Sequence, residues 1–273
     1  MNYLLIHVGS IPKHFISCVS QIKKIDRNAK IHIAVDEDIA LEDVNIFNLK
    51  DISSERTLFV SKMNIFSTEK NKLWITSLIR LFYLYDLARH AGLKQFVHFD
   101  NDVLIFKDFK EIEDEFDNIK FNITPLTNDQ LIFGYSYIPN LEIYDEILDK
   151  IVDYLDSFSK DYLQNIKSKE LNEMKLLHLI YEKNKNLFNL LNVKPGRSEY
   201  IFDPASYGQY LTGTKDKFTK KFIDERHLVG KEISSKKIFP YFHKKKPFVK
   251  TSSKNYELIN LHIHSKKLNK YKS

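Results

Sequence analysis

Residues 95–106 constrain this chain more than any other stretch. Gln95-Phe-Val-His-Phe99 and Val103-Leu-Ile-Phe106 are short apolar runs, and Asp100-Asn101-Asp102 stands between them. An apolar run of that length, bounded by turn residues, is the pattern of a buried strand. Two carboxylates at the end of such a strand lie where an open α/β sheet meets its ligand crevice. Buried carboxylates need a partner. A hard divalent cation, which takes oxygen ligands from protein and diphosphate alike, is one. A tight Asp-Asn turn joining two strands is the other reading of the same residues. A second D-x-D, Asp36 to Asp38, is followed by Ile39-Ala-Leu and then a polar stretch, which is the context of a surface turn.

The rest of the chain alternates between strand and helix signals. Tyr3 to Val8 reads as a buried strand ended by Gly9-Ser10, Pro12 to Lys24 as a helix, Lys30 to Val35 as a second strand and Thr57 to Val60 as a third. A helix is predicted over 68–91, capped by Ser67 or Thr68 and ended by Gly92, with Trp74, Leu78, Leu81, Tyr85 and Ala88 on one face. Strands follow at Phe121–Pro125 and Leu131–Ile138, and helices at Leu141–Leu163 and Leu171–Glu182. Asp203 is expected to open a short helix, with Pro204 at its first position and Gly213 just past its end. The last strand is predicted over Glu257–His264, with Leu261 and Ile263 on one side and His262 and His264 on the other. This alternation predicts an α/β domain with a mainly parallel central sheet flanked by helices.

Composition removes several function classes. The 7 glycines form no G-x-G, which excludes a dinucleotide-binding fingerprint. Gly208 and Gly213 have the phosphate-loop spacing, but Thr214 stands where the phosphate-binding lysine belongs. The single cysteine excludes a disulfide framework and a multi-cysteine zinc site within one chain. No run of about 18 apolar residues is present, so no membrane-spanning helix is expected. The first residues show no basic leader, and a cytoplasmic site of action is the expectation.

The net charge is +6, and Lys231, Lys236, Lys237, Lys244, Lys245, Lys246, Lys250 and Lys254 crowd one late stretch against Glu232 alone. A solvated face and a patch for anionic lipid headgroups or phosphates are both consistent with it. Phe239, Tyr241, Phe242 and Phe248 lie among these lysines, so a non-catalytic nucleic-acid or membrane binder is a further reading. Strands that bury an Asp pair have no role in that reading. His262-Ile263-His264-Ser265-Lys266 adds two imidazoles, competent ligands for an ion such as Mn²⁺, and a lysine that can neutralise phosphate.

Four segments together resemble the GT-A glycosyltransferases, the nucleotide-sugar-dependent class with a D-x-D motif, in its bacterial and large-virus glycan-synthesis type. They are Leu4–Gly9; Trp74–Phe106, the most specific; Asn172–Leu177 with Phe202–Leu211; and Leu261–Lys266, in the expected order. The resemblance implies a single GT-A domain over 1–273, with a nucleotide-sugar-binding half to residue 106 and an acceptor-side half from 107. It implies a divalent metal, Mn²⁺ or Mg²⁺, held by Asp100, Asp102 and His264, with His262 the alternative to His264. It places His7, Val8, Gly9 and Asp36 at the nucleoside, and Asp100, Asn101, Arg80, Ser265 and Lys266 at the donor ribose or diphosphate. Arg80 could instead be a surface ion pair, to Asp86 for example. The donor would be a nucleoside-diphosphate-sugar of UDP or GDP type and the acceptor a glycan or lipid-linked molecule. Peripheral contact with an anionic membrane surface is compatible with that reading, and no nucleic-acid partner is expected. Glu173 and Asp203 are the candidates for the base that takes the acceptor proton, although Asp before Pro is also a capping pattern. Trp74, Tyr83 and Tyr85 read as core, and Tyr207 and Tyr210 as acceptor-side residues. A nucleotidyltransferase that makes nucleotide-sugars is the alternative within the same chemistry. Against it, Gly9-Ser-Ile-Pro-Lys13 has one glycine and one lysine where such an enzyme presents a glycine-rich basic loop.

Overall fold

The apolar run at the N-terminus is the strand β1 (Asn2–His7), and it lies inside the sheet, with Tyr3, Leu4, Leu5 and Ile6 all buried. A strand covered on both faces must be apolar at consecutive positions, which is why this run does not alternate. The computed structural model describes residues 1–63, 72–162, 172–215 and 223–273. After β1 come α1 (Lys13–Ile25), β2 (Lys30–Val35), β3 (Asn45–Asn48), α2 (Leu49–Ile52), α3 (Glu55–Ser61) and α4 (Lys72–His90). Next are β4 (Phe96–His98), β5 (Val103–Ile105), β6 (Phe121–Thr127), β7 (Gln130–Ile138), α5 (Leu141–Tyr162) and α6 (Glu173–Lys183). The chain closes with β8 (Phe188–Leu190), β9 (Tyr200–Ile201), α7 (Ser206–Leu211), α8 (Gly230–Ser234), β10 (Phe239–His243), β11 (Lys246–Lys250), β12 (Asn255–Leu258) and β13 (Asn260–His262).

Seven strands form the central sheet in the order β3-β2-β1-β4-β7-β6-β8. Its pairs are parallel except at β7, which runs against both β4 and β6. One face packs on α1 and the C-terminal segments; the other packs on α4, α5 and α6. This is the α/β architecture with a mainly parallel central sheet that the sequence predicts. A four-stranded sheet, β10-β11-β12-β9, stands apart from it. The third sheet is the one that builds the site. In it β13 pairs antiparallel with β5, and His262 falls opposite Val103. That register carries the C-terminal histidines to the Asp100–Asp102 turn.

Three elements differ from expectation. Thr57–Val60 is helical, within α3, because Ser54 caps the turn through its Oγ and the Thr57 N–H, and a four-residue apolar run has no period to tell strand from helix. The predicted last strand breaks at Ile259 into β12 and β13, which join different sheets. The short helix begins at Ser206, not at Asp203, after Ala205 in the left-handed region at φ 66°. The expected caps Ser67 and Thr68, and the expected helix ends Leu163 and Leu171, lie outside the described residues. Among the described residues no helix is long and apolar enough to cross a membrane.

Candidate active site

The Asp100–Asp102 segment is a tight turn that carries candidate metal ligands. The Asp100 N–H donates to Phe133 O at 2.9 Å, and the Val103 N–H donates back to Asp100 O at 3.0 Å. Asn101 Nδ2 donates to Ile6 O at 2.8 Å, tying the turn to the end of β1. The Ile263 N–H donates to Asp102 O at 2.8 Å, tying it to β13. The backbone thus fixes the three side chains before any ligand arrives.

The Asp102 carboxylate is 3% exposed. Its Oδ1 lies 3.0 Å from His262 Nε2, and its Oδ2 holds the Lys266 ammonium. Burial works against its charge, but His262 and then Lys266 outweigh it and hold the carboxyl well below its ordinary range. Burial likewise opposes the charged form of His262, and Asp102 reverses the balance, so its pKa is raised. The His264 ring stacks on that of His262 with centroids 4.7 Å apart. Its outer edge is exposed, yet desolvation and the neighbouring His262 lower its pKa to about 4, which leaves the ring neutral. Ligand atoms of Asp102, His262 and His264 all lie within 4.8 Å of one another. His262 Nδ1 is buried without a hydrogen-bond partner. A carboxylate and two imidazoles so placed are a donor set that fits a borderline divalent ion.

Beside this cluster lies a buried cation between two acids. Arg80, on α4, pairs with Asp100 Oδ1 through one guanidinium nitrogen and with Glu173 Oε1 at 3.0 Å through the other. Burial disfavours the guanidinium charge, and Asp100 and Glu173 outweigh it, so Arg80 stays charged. Glu173 opens α6, whose first turn Asn172 caps by accepting from the Lys175 N–H. Burial pushes the Glu173 carboxyl up to about 7 in spite of Arg80. Asp86 is engaged elsewhere, accepting from the Ser54 N–H at 2.9 Å and from the Thr57 hydroxyl.

One cavity of about 500 Å³ joins these groups. The end of β1 supplies His7 and Val8, and α1 supplies His14. The α4 helix supplies Trp74, Thr76, Ser77 and Arg80, and the turn supplies Asp100, Asn101 and Asp102. Glu173 and Met174 close one side; His262, His264 and Lys266 close the other. Of the residues expected at a site, Gly9, Asp36, Asp203 and Ser265 do not line it. Asp36 instead fixes the loop after β1, both its oxygens accepting from the Gly9 N–H, at 2.8 and 3.0 Å. The Ser265 hydroxyl is buried without a partner. Asp100 stands outside the cluster of three candidate ligands and pairs with Arg80, its Oδ2 lying 3.9 Å from His262 Nε2.

Asp203 is fully buried behind the cavity. Its carboxylate accepts from the N–H groups of Tyr207, Gly208 and His262, each at 2.9 Å. Burial raises its pKa to about 6 even so. Asp203 is thus not the N-cap, which is Ala205, but it holds two N–H groups of the first turn of α7 and, by a third bond, the metal-ligand candidate His262. Tyr207 is core, its hydroxyl donating to Val193 O, and neither it nor Tyr210 lines the cavity.

Trp74 is half-buried and faces the cavity, not the core alone. The spacing Trp74, Ser77, Arg80 follows one line along a helix and is visible in the sequence once Arg80 is accepted as a site residue. His14 and Met174 carry no such mark, because tertiary packing alone brings them in.

The chain matches no protein-family model and no curated protein sequence. It is similar in shape to solved structures of glycosyltransferases at low identity. Mouse xyloside xylosyltransferase 1 is 13% identical, with 70% of this chain and 86% of that chain covered and a TM-score of 0.49. The galactosyltransferase LgtC, in complex with donor and acceptor sugar analogs, is also 13% identical, with 76% and 77% covered and a TM-score of 0.48. A glycosyltransferase involved in glycosylation of the major capsid of PBCV-1 is 13% identical, with 69% and 80% covered and a TM-score of 0.37.

Proposed function

We propose that this protein is a metal-dependent glycosyltransferase that moves a sugar from a nucleoside-diphosphate donor to a hydroxyl acceptor. The observation that carries the proposal is the meeting of Asp102, His262 and His264 in one cavity with the Arg80–Asp100–Glu173 cluster. The chain acts as one domain, because residues from both its halves line that cavity. The donor is a UDP- or GDP-sugar, and the acceptor a glycan or a lipid-linked sugar.

Asp102, His262 and His264 would hold the metal, Mn²⁺ in preference to Mg²⁺ because two of the three donors are imidazoles. When bound, the ion supplies positive charge against the diphosphate leaving group. Lys266 sits on the same carboxylate and is long enough to turn its ammonium to the phosphates. His7 and Val8, at the end of β1, take the nucleoside side, with Asn101 beside them at the donor ribose. Arg80 is locked between two acids, so it orients Asp100 and Glu173 and is not itself free for phosphate. In the transfer, the bond from sugar C1 to the diphosphate oxygen breaks and a bond from C1 to the acceptor oxygen forms. The acceptor proton must leave. Glu173, with a pKa near neutrality and a place in the cavity wall, is the group suited to take it. Asp203 does not line this cavity and acts as a positioning residue for His262.

Incubation with UDP- and GDP-sugars should release the nucleoside diphosphate when Mn²⁺ is added, at least about 100-fold more slowly in Asp102→Asn. Release that needs no metal, or that survives Asp102→Asn unchanged, would remove the assignment.

A further inference from the structure

The sheet β10-β11-β12-β9 carries aromatic rings on the face where a half-buried sheet ordinarily carries polar groups. Its inner face is satisfied by Pro240, Pro247 and Val249, all buried, and by Phe242, stacked on Tyr271 at 5.8 Å. Alternation sends the neighbouring residues outward. Phe239 and Tyr241 of β10 stand directly opposite Lys250 and Phe248 of β11, and Lys250 stands opposite Asn255 of β12. The Tyr241 and Phe248 rings stack at 5.7 Å, and Phe239 is 46% exposed. An exposed row of aromatic residues is informative in a way a single exposed residue is not.

This face opens into a groove of about 900 Å³, which shares no lining residue with the donor cavity. Lys236 and Lys237 line it beside Phe239, Tyr241, Lys250 and Asn255. Among the described residues no acid lies within ion-pair reach of Lys236, Lys237 or Lys250. Three lysines with no acid in reach thus line the groove beside the aromatic rings.

We propose that this groove is a second binding site, separate from the donor cavity, for an acidic glycan. Ring faces of Phe239 and Tyr241 pack against the C–H faces of sugar rings, the three lysines meet carboxylate groups, and Asn255 with Thr251 and Ser252, which also line the groove, meets sugar hydroxyls. A continuous phosphate track fits less well, because the lysines gather in one groove and do not form a basic stripe that a strand could follow. A membrane fits less well too, since the rings line a concavity and do not project as a wedge.

The site can be tested without any transferase assay. The full chain is titrated calorimetrically with oligogalacturonate, neutral dextran oligomers, a single-stranded oligo-dT and phosphatidylserine vesicles. Oligogalacturonate should bind, weaken with salt and lose at least about tenfold in affinity in Tyr241→Ala and in the exposed charge variant Lys237→Glu. Thermal shifts by nucleoside diphosphate with Mn²⁺ should be unchanged in both, so failure of the donor assignment and failure of this one read out separately. No oligogalacturonate binding, equal binding of dextran, tighter binding of oligo-dT or vesicles, or affinity unmoved by Lys237→Glu would each overturn the proposal.

Discussion

Replacing Gly208 by alanine tests how the C-terminal histidines are held. A Cβ at this position would stand 2.1 Å from His262 O and 2.7 Å from Asp203 Oδ2. Both neighbours are fixed, one as backbone and the other by its three N–H bonds, so α7 and β13 must separate by about 1 Å to restore ordinary contact. The bonds from the Gly208 and His262 N–H groups to Asp203 Oδ2 are 2.9 Å and would stretch out of hydrogen-bond range. Two bonds to a charged acceptor, at about 1.5–3 kcal/mol each, put the loss near 3–6 kcal/mol. For a chain of this size that is a fall in Tm of roughly 6–12 °C. Because His262 moves with its strand, Mn²⁺ affinity should fall by about 10–100-fold, the usual cost of disturbing what supports a ligand. Scanning calorimetry and a Mn²⁺ titration check the two effects. A Gly208→Ala protein with Tm within about 2 °C of wild type and unchanged Mn²⁺ affinity would refute the reasoning.

Two further changes probe other parts of the account. Glu173 has its folded pKa raised to about 7 from near 4.5, so its carboxyl contributes stability that is full below 4.5 and lost as pH rises through 7. Wild type should therefore lose about 3 kcal/mol relative to Glu173→Gln between those limits, read by denaturant unfolding at pH 5 and pH 8; a difference independent of pH would contradict the buried environment assigned to it. The two-residue turn between β10 and β11 is Lys244-Lys245, both left-handed at φ 48° and 65°, a geometry that favours Asn-Gly. The double change Lys244→Asn with Lys245→Gly should raise stability by about 1–2 kcal/mol, and a lower Tm would show that the lysines are held there by contacts outside the turn.

Much of this site is legible in the sequence because its parts are local. The Asp100–Asp102 turn is flanked by its own strands, and alternation puts His262 and His264 on one side, although β13 ends at His262 and His264 lies in the turn after it. What brings the two together is the pairing of β5 with β13 across more than 150 residues, and no local pattern encodes that register. The same limit explains Arg80. Its helix position is readable, but its partners Asp100 and Glu173 are tertiary choices, and Asp86, six residues along, binds Ser54 and Thr57 instead. Asp203 shows the converse. Its capping pattern is plain, yet the third N–H it accepts comes from His262. Thr57–Val60 failed for want of length, since four apolar residues carry no period and the Ser54 cap decided the outcome.

The central claim is that Asp102, His262 and His264 hold a metal through which a nucleoside diphosphate is recognised. Thermal unfolding with UDP, GDP, dTDP and CMP, each with and without Mn²⁺, tests it directly. A nucleotide at 100 times its Kd stabilises by about 2.7 kcal/mol, or roughly 5–10 °C here. The account predicts that shift for one nucleoside diphosphate, only with Mn²⁺, and its loss in Asp102→Asn. A shift of the same size without metal, or no shift with any of the four, would contradict it.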